Sequence, residues 1–271
     1  MAEILNKAFG FIPGMHKIRT EFVAGFSTFL TMAYILAVNP MIFSELPDMP
    51  KGAVFTATAL AAVVSTLVMA FYAKKPFALA PGMGMNAFFV YTVCISMHQT
   101  WQFALTAVLI EGIIFVILSA TKARTMIVNS IPASLKNAIG AGIGLFIAFI
   151  GLQGSHIVVG ASSTLVTIGD ISQGPALLAV IGIIITGALL VLKVRGGILI
   201  GIFATTIIGL FIKDPATGEA ITKFNGPLVS SPESISPIFC KFEWNSILTL
   251  DMLIVVFTFL FNDIFGGVDI L

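Results

Sequence analysis

Apolar stretches of about twenty residues follow one another along this chain, and the third of them is broken in its middle. Residues 76–97 form that stretch, yet its centre reads Ala80-Pro81-Gly82-Met83-Gly84-Met85-Asn86. Proline removes a backbone donor and glycine favours other backbone angles, so a regular helix is poorly supported there. Lipid offers no partner to unpaired backbone polar groups, so non-helical backbone at this depth must face protein or a water-filled cavity. A span interrupted by Gly and Pro is a sequence sign of a transporter's substrate site.

Composition fixes the class. Of 271 residues, 58% are hydrophobic and 10% charged, against about a quarter charged in soluble domains. The chain reads as an all-α polytopic membrane protein. A net charge of +1 gives no general attraction to nucleic acid. Cys94 falls in a span and Cys240 in a loop, without metal-ligand spacing, so neither a disulfide nor a metal is expected. No cofactor motif occurs. Met1 to Thr20 is mildly amphipathic and basic, and lacks the cleavage site of a signal peptide.

Eight segments are apolar enough to span: 21–44, 52–73, 76–97, 101–121, 138–154, 174–192, 196–212 and 248–268. Ile131 to Asn137, ahead of the fifth, reads as the start of an interfacial helix. With the N-terminus inside, the cytoplasmic segments hold Lys7, Lys17, Arg19, Lys74, Lys75, Lys122, Arg124, Lys136, Lys193 and Arg195. The outside segments hold only Lys51, Lys213, Lys223 and Lys241, with most of the acids. That is the positive-inside pattern, so a cytoplasmic N-terminus is expected. Residues 213–245, with Pro215, Gly218, Gly226, Pro227, Pro232 and Pro237, read as an irregular outside loop. The eighth span runs to Leu271 without a flanking loop or basic anchor, and truncation is the expectation.

Ionisable groups inside spans are functional candidates by default. Asp263 suits recognition of ring N–H donors or carriage of a proton, unless it lies at a solvated helix end. Glu111 in the fourth span is either a pathway group or a structural carboxylate. Asp269, Asp251 and Glu21 read as interfacial. Asn86 follows the break, where a half-helix can begin. Its amide both donates and accepts, which fits a heterocycle with mixed edges, though it also suits a helix cap. Phe88 and Phe89 can stack on a flat ring. His16, His98 and His156 lie at ends or in loops. Gly140 with Gly144, and Gly197 with Gly201, are spaced for close helix packing.

The run from Thr20-Glu21-Phe22-Val23-Ala24-Gly25 to Val38-Asn39-Pro40 resembles the first span of the adenine/guanine/hypoxanthine permeases, a branch of the xanthine/uracil permease superfamily of nucleobase–cation symporters. Ala80 to Phe89 resembles their third-span motif, Ile131 to Gly151 their fifth span, and Phe257 to Phe265 the start of their eighth. The resemblance implies the N-terminal half of a seven-plus-seven inverted-repeat transporter, with a broken third span containing a short strand. It implies core spans 1–4 in residues 1–130, gate spans 5–7 in 131–212, an extracytoplasmic loop at 213–247, and the start of a second repeat at 248–271. It further implies a purine nucleobase as substrate, a proton as coupling ion and the inner (plasma) membrane as location. Asn86 and Asp263 match substrate-site positions, with Phe88 beside them. Gly82 and Gly84 match the strand that brings backbone close to the base.

After Phe265 the chain reads Gly266-Gly267-Val268-Asp269 and departs from the family's eighth-span motif, whose second acid is missing at Gly266. A chain ending at Leu271 supplies half a site on this reading and is not expected to transport alone. An anion carrier of the same architecture and a non-transporting truncated membrane protein are the alternatives. The charge of Asp263 argues against the anion. Whether two copies pair as a homodimer stays open, as does the identity of the purine. No protease, hydrolase or nucleotide-binding motif points to an enzyme.

Overall fold

A computed structural model describes residues 18–121, 126–127, 130, 132–215, 217–223 and 230–266. The N-terminal segment with Lys7, His16 and Lys17, the basic residues Lys122 and Arg124, Ile131, loop residues Gly226 and Pro227, and the end with Asp269 lie outside the described residues, as do the side chains of Lys136 and Asn137.

The protein is mostly helical, and a helix lies in each of the eight predicted stretches. In chain order these are α1 (Ile18–Met32), α2 (Ile35–Phe43), α3 (Lys51–Val68), α4 (Met83–Ala87), α5 (Trp101–Ala120), α6 (Ala133–Gly154), α7 (Gly174–Val191), α8 (Gly197–Gly209) and α9 (Leu250–Gly266). The first stretch is thus two helices, with Pro40 inside the second. π-Helical segments Met69–Ala73 and Phe88–Ser96 continue α3 and α4. Ile18–Phe43, Lys51–Ala73, Trp101–Ala120 and Gly174–Val191 are long and apolar enough to cross a membrane. Large apolar side chains such as Phe22, Val116, Leu190 and Phe257 face outward, as lipid allows but water does not.

The chain divides into two compact units. The first comprises Met1–Val38, Ala57–Pro81 and Phe149–Pro232. Here α7 and α8 form a hairpin through Gly196, whose φ of 73° is a left-handed conformation that glycine adopts without strain. Small residues let the two backbones close up. A Cβ on Gly201 would collide with Thr186, and one on Gly182 would come within 2.8 Å of the Thr205 hydroxyl. Gly197 likewise faces Leu189, so the packing role expected of Gly197 and Gly201 is realised. The same role is not realised at Gly144, where a Cβ would meet no heavy atom of the described residues within 4 Å. Gly201→Val is expected to destabilise the hairpin by about 1–3 kcal/mol, the usual cost of overpacking, read as a lower melting temperature in detergent.

Ahead of α7, Asp170 accepts hydrogen bonds from the Ser172 hydroxyl and amide and from the Gln173 side chain. These hold its carboxyl below the ordinary carboxylate range. Strands β1 (Val158–Ala161) and β2 (Leu165–Ile168) form an antiparallel hairpin between α6 and α7.

Residues 74–82 are non-helical, as the proline and glycines of the third stretch require. At Leu79 the backbone is satisfied by a side chain. The Leu79 N–H donates to the Thr66 hydroxyl at 3.0 Å, and that hydroxyl donates back to the Leu79 carbonyl at 3.2 Å. The short strand expected here is absent among the described residues.

The second unit comprises Asn39–Thr56, Gly82–Ala148 and Glu233–Leu271. Its core joins α5, α9 and the Phe88–Ser96 segment through Phe103, Phe259, Met252, Val90, Val93 and Val255, each under 3% exposed. Thr100 caps α5 by accepting from the Phe103 N–H at 3.1 Å. The loop before α9 is stitched to the same helix. The Glu243 N–H donates to Thr106, and the Thr100 hydroxyl donates to the Glu243 carboxylate. Gln99 donates to Asp251 at 3.1 Å at the head of α9.

Candidate functional site

All five residues singled out from sequence fall in this second unit, on α4, the segment after it, and α9. Gly82 is the N-cap of α4, in extended backbone (φ −74°, ψ 123°) and without a side-chain cap bond. Gly84 lies inside α4, where a Cβ would stand 2.9 Å from Ile143 Cγ2 on α6. Its lack of a side chain therefore serves helix approach; it is not part of a strand.

Asn86 does not cap the helix. Its backbone N–H donates to the Gly82 carbonyl at 3.2 Å, one turn into α4. Its side-chain Nδ2 donates to Oδ1 of Asn39 on α2 at 2.5 Å. Asn39 is only 4% exposed, so the amide pair locks the half-helix to the first stretch inside the protein. Phe43 and Phe89 reinforce that junction, with ring centroids 5.2 Å apart. An amide carries two N–H donors and one carbonyl acceptor, so the Asn86 carbonyl and second N–H remain available to a ligand.

Phe88 meets Phe259 of α9 edge to face, centroids 5.1 Å apart at 88°. One helical turn beyond Phe259 lies Asp263, half-buried. Its carboxyl lies close to that of Glu111 on α5. Glu111 is 2% exposed. The half-helix, the aromatic pair and the two carboxyls thus belong to one packed group of helices.

Sequence alone assigned no role to Asn39 and left Glu111 between a pathway group and a structural carboxylate. Asn39 stands in the first-span motif, and the sign available was a polar residue before Pro40 in an otherwise apolar run. Glu111 was recognised as a buried acid, yet helical spacing alone does not reveal its partner 152 residues along the chain.

The permease family model Xan_ur_permease matches residues 19–266. The guanine/hypoxanthine permease PbuG of Bacillus subtilis is 45% identical over 258 residues, covering 91% of this chain and 57% of PbuG. The guanine/hypoxanthine permease PbuO of the same organism is 43% identical over 197 residues, 72% of this chain and 45% of PbuO. The adenine permease AdeQ of Escherichia coli is 36% identical over 250 residues, 92% of this chain and 54% of AdeQ. The chain spans about half the length of these relatives.

Proposed function

This chain belongs to the permease family, and from that premise we propose that it forms part of a membrane carrier, not an enzyme, that moves a purine nucleobase together with a proton. The relatives named for guanine, hypoxanthine and adenine support the substrate class. The observation that carries the reading is the meeting of the interrupted third stretch with the carboxyl-bearing α9 through Phe88 and Phe259. A purine edge alternates ring N–H donors with N and O acceptors. Asn86 offers both kinds of group and Asp263 offers an acceptor, while Phe88 offers a ring to a flat base. Gly82, fully without a side chain at the mouth of α4, leaves its backbone open to the ligand.

Equilibrium binding of tritiated hypoxanthine to the purified full-length gene product tests this reading. Saturable binding, displaced by unlabelled guanine or adenine but not by sulfate or bicarbonate, is expected. Displacement by the anions alone would favour an anion carrier.

The finer architecture is part of the proposal. Spans 1–4 within residues 1–130 form a core and spans 5–7 within 131–212 a gate, in one repeat of a seven-plus-seven transporter of the inner membrane. The N-terminus is cytoplasmic, on the positive-inside charge distribution. Cys240 is exposed and Cys94 buried, both free thiols. A membrane-impermeant maleimide added to intact cells is expected to label Cys240 and spare Cys94. Labelling of Cys240 only after the membrane is opened would invert the topology.

A further inference from the structure

A cavity of about 460 Å³ lies between the head of α5 and the loop that leads into α9, within the second unit. That volume falls in the range of small-molecule sites. Its walls are Thr100 and Gln102 at the start of α5, and Phe242, Glu243, Trp244 and Asn245 of the loop. Trp244 is 57% exposed, and Phe242 meets it edge to face with ring centroids 5.7 Å apart. The indole thus keeps surface open to a ligand while Phe242 steadies it.

The loop is held in place at Glu243. The Thr100 hydroxyl donates to one of its carboxylate oxygens at 2.5 Å and the Ser246 hydroxyl to the other at 2.8 Å. Its backbone N–H donates at 2.8 Å to Thr106, which is fully buried on α5. The wall is therefore pre-organised, which lowers the entropic cost of binding. A carboxylate has about four acceptor positions, so both oxygens can take a further donor. The Gln102 and Asn245 amides add donors and acceptors together. An aromatic face, two amides and a fixed acceptor suit a flat, uncharged heterocycle with ring N–H groups, and the carboxylate disfavours an anion.

We propose that this cavity is a second binding site for a purine nucleobase, separate from the Asp263 site, in which the base stacks on Trp244 and turns a ring N–H to Glu243. On the positive-inside orientation it faces the outside, where it receives the base before the base moves inward. Asp263 lies about 20 Å further along α9, from the helical rise between Leu250 and Asp263, so the two sites are distinct. This inference rests on the carrier reading above.

Equilibrium binding of tritiated hypoxanthine to the purified full-length gene product tests it. Wild type is expected to bind two bases per protein and Asp263→Asn one. Trp244→Ala in the Asp263→Asn background is expected to weaken that remaining site by about tenfold, the usual worth of base stacking on an aromatic ring. Trp244→Phe keeps an aromatic face and is expected to stay within about threefold. Absence of binding to Asp263→Asn, or binding that Trp244→Ala leaves unchanged, would overturn the proposal. If Trp244→Ala does not fold, photolabelling of the Asp263→Asn protein with 8-azidoadenine decides. A mark on the peptide with Phe242 to Asn245 is expected, and no mark there overturns the site. Wild-type protein that takes up no purine yet holds the base at Trp244 refutes the carrier reading and leaves the site standing. Wild-type uptake without binding to Asp263→Asn does the reverse.

Discussion

Asp263→Asn is expected to lower purine uptake by about 100-fold with the protein present in the membrane at its usual level, because a lost charge-assisted hydrogen bond to a ring N–H is worth about 1.5–3 kcal/mol. The amide is isosteric with the acid, so the contacts of α9 with α5 survive and the helix still presents Phe259 to Phe88. What changes is chemistry. An amide can turn an N–H toward a ring N–H, where two donors oppose each other. Measured uptake of labelled hypoxanthine, normalised to immunoblotted protein, reads the effect. Uptake within about twofold of wild type would remove Asp263 from the substrate site.

Asn86→Ala is expected to have the second largest effect. It removes the Nδ2 donor from Asn39 Oδ1, an acceptor in a side chain that is almost wholly buried. Depriving a buried acceptor of its donor costs about 1–3 kcal/mol. Part of that appears as lost stability, because the amide pair ties α4 to α2. The remainder appears in the ligand, since the same amide supplies the mixed donor and acceptor edge. Uptake about tenfold or more below wild type, with a lower melting temperature in detergent, is the expected pair of results. Asn39→Ala should reproduce the stability loss, while direct contact of Asn86 with the base would make Asn86→Ala the more damaging of the two for uptake. Equal effects of both variants on uptake and stability would make Asn86 a structural residue only.

Much of the architecture was legible because lipid imposes simple rules. Long apolar runs become helices, so each of the eight predicted stretches carries one, and Pro81 with Gly82 keeps the start of the third stretch non-helical. What escaped the sequence was tertiary. Nothing in the run Lys74 to Gly82 announces that Thr66 takes the Leu79 backbone groups. Asn86 looked like a helix start because it follows the glycines directly, yet Gly82, whose extended backbone needs no Cβ, starts the helix four residues earlier. Gly197–Gly201 and Gly144 carry the same spacing signal, but among the described residues a Cβ would meet a neighbour at Gly197 and Gly201 and nothing within 4 Å at Gly144. The carboxyl pair is the clearest case. Glu111 and Asp263 were each visible as isolated acids in apolar surroundings, and their meeting depends on the packing of α5 on α9, which no local pattern encodes.

Uptake of tritiated hypoxanthine, guanine and adenine, by cells without their own purine carriers that express the full-length product of the gene encoding this chain, tests the central claim most directly. Saturable uptake of at least one of the three bases, stimulated by an acidic exterior and abolished by Asp263→Asn, is the expected result. No uptake of any of them above vector-only cells, with the protein verified in the membrane, would contradict the assignment of a purine carrier.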